Sequence, residues 1–271
     1  MRWKFLLTSI IMHFRMLMRQ KIVLLLLSGI PTLFIFIVQL TASEREILFE
    51  VGIAETKTMI KATEANVSLI FVSMATIGFL SSFVSLSLVQ QYKNVNRRLV
   101  ICGYYPAELM LSALTVMFFI IVLLLLCIGF SIQFFFQPLH FWPMLLGMLF
   151  NGLIYGGYGM LAGCMINGAL EGTLTVILLA NIDAGWLQNP LFFSEARNKI
   201  IIQLLPAYHP TQLSVGAAFT DVPLQTSIFV SFAYMLFFFG AAILISYYNM
   251  RIKQVHKIKK KQMNRTSYCR P

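Results

Sequence analysis

Six stretches of this sequence are too long and too apolar to be ordinary soluble segments. Residues 22–40, 67–89, 109–136, 141–166 and 225–248 contain no Asp, Glu, Lys or Arg, and residues 172–187 contain only Asp183. An α-helix rises about 1.5 Å per residue, so about 20 apolar residues cross the ~30 Å hydrocarbon core of a bilayer. Inside that core only helices and closed barrels satisfy their backbone polar groups. The expected fold is all-α and integral to a membrane, with six transmembrane helices in a single transmembrane domain over residues 1–271. Charged residues make up only 11% of the chain, where a soluble domain carries about 25%.

Charge placement orients the spans. With the N-terminus inside, the inner segments hold five, three, no and eight Lys or Arg, and the outer segments hold three, none and two. Basic residues in short loops mark the cytoplasmic side. The expectation is a multi-pass protein of the cell's cytoplasmic membrane with both termini inside. The formal net charge of +11 then belongs to cytosolic flanks facing anionic membrane lipid, not to nucleic acid. The tail, residues 249–271, carries Arg251, Lys253, Lys257, Lys259, Lys260, Lys261, Arg265 and Arg270.

Three segments outside the spans have helical patterning. Residues 1–20 place Trp3, Leu7, Ile10, Phe14 and Leu17 at helical spacing, with Lys4, Arg15 and Arg19 mostly opposite, as in a helix lying in the membrane interface. Between the second and third spans, Tyr92, Val95, Leu99 and Cys102 share one helical face. Lys93, Asn94, Arg97 and Arg98 share another. Gly103 can end this short cytosolic helix and Pro106 can start the next. A plain solvated basic loop that only sets orientation is the competing reading. Beyond the fifth span, residues 194–205 read as an amphipathic helix stopped by Pro206, and Pro210 starts a second apolar piece over 211–219. Neither spans a bilayer, so together they suggest a re-entrant hairpin in the outer leaflet. The acidic-leaning segment 41–66 is expected outside.

Chemistry-bearing motifs are few. There is no phosphate-binding G-x-x-x-x-G-K-[ST], no H-E-x-x-H and no G-x-S-x-G, and His13, His140, His209 and His256 are scattered. No catalytic residue is assigned and an enzyme is not expected. Cys102, Cys127, Cys164 and Cys269 form no C-x-x-C pair, so neither a disulfide framework nor a metal site is expected. Gly152, Gly156, Gly159 and Gly163 keep one face of the fourth span small, which permits close helix packing. Ser81, Ser82 and Ser85 give the second span a mildly polar face, suited to helix contact or to a pathway. Asn181 and Asp183 are the remaining pathway candidates. An acid in a span either has a partner or wet cavity, or sits near the span's end and is hydrated, and both readings of Asp183 stand.

Together, the residues Arg97-Arg98-Leu99-Val100-Ile101-Cys102-Gly103-Tyr104 and Leu205-Pro206-Ala207-Tyr208-His209-Pro210-Thr211, in this layout, resemble the membrane subunit of a type-2 ABC exporter. The first stretch is similar to that family's coupling segment and the second to its proline-bearing signature before the last span. Gln90 and Tyr92 stand where the family often has glutamates, and Asn94-Val95 where it often has Gly-Thr. The resemblance implies a permease that binds no cofactor itself and draws on ATP through a separate cytosolic ATP-binding-cassette ATPase. That ATPase would dock on Tyr92, Lys93, Val95, Arg97, Arg98, Leu99, Cys102 and Gly103. It also implies pairing with a second copy or a sister permease, and export of an amphiphilic small molecule, peptide or lipid. A non-transporting immunity or assembly-scaffold protein explains the hydrophobicity and charge bias equally well, but not the cytosolic helix or the outer hairpin.

Overall fold

The computed structural model describes residues 3–53, 56–221 and 225–249. The basic tail beyond residue 249, with Cys269, lies outside the described residues. Helix dominates. Following α1 (Trp3–Met18) are α2 (Lys21–Thr41), α3 (Glu64–Gln90), α4 (Lys93–Ile101), α5 (Pro106–Phe135), α6 (Phe141–Met165) and α7 (Ala169–Ala180). A π-helical turn, Asn181–Leu187, extends α7. Then come α8 (Pro190–Glu195), α9 (Lys199–Gln203), α10 (Tyr208–Phe219) and α11 (Gln225–Tyr247). Among the described residues six helices are long and apolar enough to cross a membrane, counting α7 with its π-helical turn as one. Their bounds lie within three residues of the six apolar runs.

Helices α3 and α6 form the centre. Most residues of both are buried, whereas α2, α7 with its π-helical turn and α11 bury only a minority of theirs. Glycines explain why α3 and α6 approach so closely. A Cβ on Gly152 would lie 3.0 Å from Ile77 and 2.7 Å from Ile121, and one on Gly163 would lie 2.9 Å from Val89. At Gly159 it would collide with the Ser82 backbone carbonyl. Apolar clusters built on α3, α5 and α6 fill the interior. Asn151 adds a polar tie, donating through Nδ2 to the Met74 carbonyl oxygen at 2.7 Å.

Two antiparallel strands, β1 (Glu46–Ile53) and β2 (Thr56–Thr63), correct the all-α expectation. Their register pairs Phe49 with Ile60 and Ile47 with Ala62. Phe49, Val51, Ile60 and Ala62 are buried, Ile47 is half-buried, and Leu48 and Met59 are exposed, so side chains alternate between faces. The buried face packs on α10, where the Phe49 and Phe219 rings meet edge-on at 6.0 Å. β2 runs directly into α3.

Helix α10 is almost wholly buried. Its last carbonyls are capped by the turn before α6, since Leu139 N donates to Ala218 O at 3.0 Å and His140 N to Ala217 O at 2.9 Å. The single helix expected over 194–205 is two pieces, α8 and α9, with a non-helical break between them. Ile200, Ile201 and Leu204 are exposed there.

Candidate functional site

At the end of the bundle that carries α4, amide and aromatic side chains tie together helix ends and the turns between them. Gly103, with φ of 96°, takes the left-handed conformation glycine tolerates, and it closes α4. Pro106 opens α5, where the Glu108 carboxylate accepts the Tyr105 N–H at 3.4 Å. Tyr92, at the start of α4, is buried among Leu17, Leu88, Val89 and Met110. Its hydroxyl accepts from Gln20 Nε2 at 2.9 Å, and the same amide donates to Gln91. The Tyr92 phenol is pushed up by burial, against the Gln20 hydrogen bond. Gln90 Nε2 donates to the carbonyls of Ile166 and Gly168 at 3.2 and 3.3 Å. Lys93 Nζ donates to Asn167 Oδ1 at 2.6 Å, and Asn249 Nδ2 to the Cys164 carbonyl at 2.9 Å. The trailing carbonyls of α6 are thus capped by side chains from α3 and from the end of α11.

The expected docking face is split by this arrangement. Tyr92 belongs to the core, and Val95 and Leu99 are half-buried against the rest of the chain. Asn96 is also buried, following Tyr92 by one helical turn. Arg97 lies in α4 by its backbone, and Arg98, Cys102 and Gly103 are exposed. Ile101, which the sequence pattern did not single out, is 75% exposed and is the outward apolar side chain of α4. Tyr105 beside it is also exposed. The cause is spacing: residues 92, 96 and 99 follow one inward stripe, and 98 and 101 fall on the opposite side.

His13 joins α1 to this end. Its Nδ1 donates to the Ser9 carbonyl at 2.9 Å and lies 3.2 Å from Ser112 Oγ on α5. Its ring stands edge-on to Tyr92 at 5.9 Å. The carbonyl can only accept, so the proton sits on Nδ1, and Nε2 is buried with no partner. Burial lowers the His13 pKa, against the Ser9 hydrogen bond. Leu6, Ser9, His13 and Leu17 form the docked face of α1, while Leu7 and Phe14 face outward.

At the opposite end the buried polar centre is Asp183. The π-helical turn carries it inward, 6% exposed, and its carboxylate accepts three hydrogen bonds. Gln188 Nε2 donates to Oδ1 at 3.2 Å, Ala207 N donates to Oδ2 at 3.2 Å, and the Tyr155 hydroxyl donates to Oδ2. Of the two readings left open for this acid, the partnered one matches this geometry. Asn181 is exposed and donates to its own helix at Ile177 O. Ser81, Ser82 and Ser85 are fully buried and bond to carbonyls of their own helix, with Ser82 and Ser85 lying against Gly159 and Gly156. They pack helices together. Tyr155 and Gln188 gave no sequence signal beyond being polar residues in or beside apolar runs. Among the described residues no cluster of His, Cys, Asp and Glu could hold a metal ion.

No known family model matches the sequence. No curated protein matches it significantly either.

Proposed function

We propose that this chain is the membrane subunit of an ATP-driven exporter of the type-2 ABC class. In this reading it lies in the cytoplasmic membrane with six spans, both termini inside, α1 in the interface and α8–α10 as a re-entrant hairpin at the outer surface. The observation that carries the reading is α4. It is a short basic helix set between two long apolar helices, exposing Arg98, Ile101 and Cys102 on one side. It is also tied to the α1–α2 connection through Tyr92 and Gln20 and to the α6–α7 connection through Lys93. A solvated loop that only sets orientation needs none of these ties. A docking helix needs all of them, because force applied at its outer face must reach the spans.

The partner is a cytosolic ATP-binding-cassette ATPase, which binds and hydrolyses the ATP. Its docking surface has a groove for Ile101 and an acidic rim for the α4 cations. A second copy or a sister permease completes the pathway, and the cargo is an amphiphile that leaves the cytoplasmic side. The test is co-expression with a candidate ATP-binding-cassette ATPase from the same cell, followed by pull-down and substrate-stimulated ATP hydrolysis. Native Cys102 reports orientation in the same cells, since it is exposed. Its labelling by a membrane-impermeant maleimide in intact cells, or failure of the ATPase to co-purify, overturns the reading.

A further inference from the structure

The chain leaves the bundle after the π-helical turn, makes an excursion through α8 and α9, and returns at the start of α10. Gln188 stands at the exit and Ala207 at the return. Both are bonded to the same side chain, Gln188 to Asp183 Oδ1 and Ala207 N–H to Asp183 Oδ2, each at 3.2 Å. Tyr155 fixes that carboxylate to α6, the centre of the bundle. One acid therefore closes the neck of the excursion and fastens it to the core.

The excursion itself has a small interior. Its buried cluster is Phe193, Ile202 and Tyr208, with Leu187 and Ala196 against it. Ile200, Ile201 and Leu204 are 60–68% exposed. Outside the neck its polar ties to the bundle include Lys199 Nζ to Glu50 on β1 at 2.6 Å and Tyr234 OH on α11 to the Leu204 carbonyl at 2.8 Å. Beyond the neck α10 is immobilised by burial and by the 139–140 turn. A poorly buried segment between two firmly packed ones opens locally at less cost than the whole fold.

We propose that Asp183 is the latch of a flap formed by residues 189–206, and that breaking its hydrogen bonds opens the flap while α3, α6 and α10 stay packed. The carboxylate suits a latch, because it accepts all three donors at one point and those donors come from both ends of the flap and from the core. This inference stands apart from the transport reading, and its test involves neither an ATPase nor a cargo.

Arg197 lies between α8 and α9 and is exposed, which makes it a tryptic site inside the flap. Full-length protein in lipid nanodiscs, exposed to trypsin on both faces, would be followed by mass spectrometry of the fragments. Asp183→Asn and Tyr155→Phe each keep the side-chain volume and weaken the latch. Both should raise the rate of cleavage after Arg197 at least tenfold and leave cleavage after Arg98 at the wild-type rate. Combining them should add little to the larger single effect, since both remove one joint interaction. An unchanged rate at Arg197 overturns the proposal. So does an equal rise at Arg97 and Arg98, which would report general loosening instead of a local opening.

Discussion

Gly159 of α6 sits directly against the backbone carbonyl of Ser82 on α3, with no room for a methyl group between them. Backbone cannot move aside as a side chain can. Gly159→Ala should therefore destabilise the protein by about 1–3 kcal/mol, the range for overpacking a filled interior. Gly156 is the contrast. A Cβ there would meet the end of the flexible Met117 side chain, which can shift. Gly156→Ala should cost less than about 1 kcal/mol, while Gly156→Leu should prevent correct assembly. Thermal unfolding in detergent, with size-exclusion profiles, ranks the three variants, and equal effects of the two alanine substitutions would refute this account.

Helix α4 has one face packed within the chain and one exposed, and the proposed ATPase would meet the exposed one. Ile101→Asp should leave insertion and stability unchanged and abolish ATPase association, because a buried apolar anchor commonly carries about 2 kcal/mol or more of an interface. Leu99→Asp should instead lower stability, since Leu99 is half-buried within the chain. Arg98→Lys keeps the charge of an exposed residue and should be mild. Pull-down and melting temperature, measured on each variant, distinguish the two faces. ATPase binding by a correctly inserted Ile101→Asp protein would remove the docking role.

Acidification should loosen α1. The His13 pKa is lowered in the folded protein by burial, so the folded state prefers the neutral ring. Its contribution is fully present above the ordinary value of about 6.5 and is lost as pH falls below that toward the lowered value. Ser9, Ser112 and Tyr92 face the ring, and none of them is an acid that would offset the cation. His209 is also lowered by burial and acts in the same direction. The decisive comparison is thus wild type against His13→Leu between pH 7.5 and 5.5. Wild type should lose more thermal stability over that interval, and parallel curves would exclude His13 as a source of the pH dependence.

The hairpin of β1 and β2 is pinned to the flap by Lys199 and Glu50, a pair whose side chains are 27% and 10% exposed. Lys199 also lies over the Phe193 ring at 5.3 Å. Lys199→Met keeps the aliphatic stem but leaves the Glu50 carboxylate without this partner. A loss of about 1–3 kcal/mol is expected, less than for a fully buried pair because water still reaches the lysine. Glu50→Gln combined with Lys199→Met should recover part of it. Chemical denaturation of the set, including both single changes, tests whether the two residues act jointly.

Hydropathy alone located the long helices, because a run without charge has few other stable states in lipid. Local punctuation was equally legible: Gly103 ends α4 and Pro106 begins α5. The hairpin was not, although Ile47, Phe49 and Val51 alternate with polar residues except at Leu48. Five glutamates from Glu44 to Glu64 point to a side of the membrane and not to a strand, and the second strand puts exposed Met59 beside buried Ile60. The orientation of α4 was missed because helical periodicity defines a stripe without saying whether the chain itself or a partner covers it. Asp183 was visible as an acid in an apolar run. Its partners were not, since Tyr155 lies 28 residues earlier and the Ala207 donor is a backbone N–H that no side-chain pattern encodes.

The π-helical turn makes chain length part of the flap's neck. Asp183 and Gln188 are five residues apart, and a regular α-helix would set them about 140° apart around its axis. The wider turn, which pairs each residue with the fifth one on, lets the Gln188 amide reach the carboxylate. Removing Gly185 would leave a four-residue spacing, which an ordinary α-helix already places on one side. Adding a residue between Asp183 and Gln188 would carry the amide round to the far side. The neck is consequently an asymmetric gauge: it can survive a residue lost at this point, and it fails when one is gained.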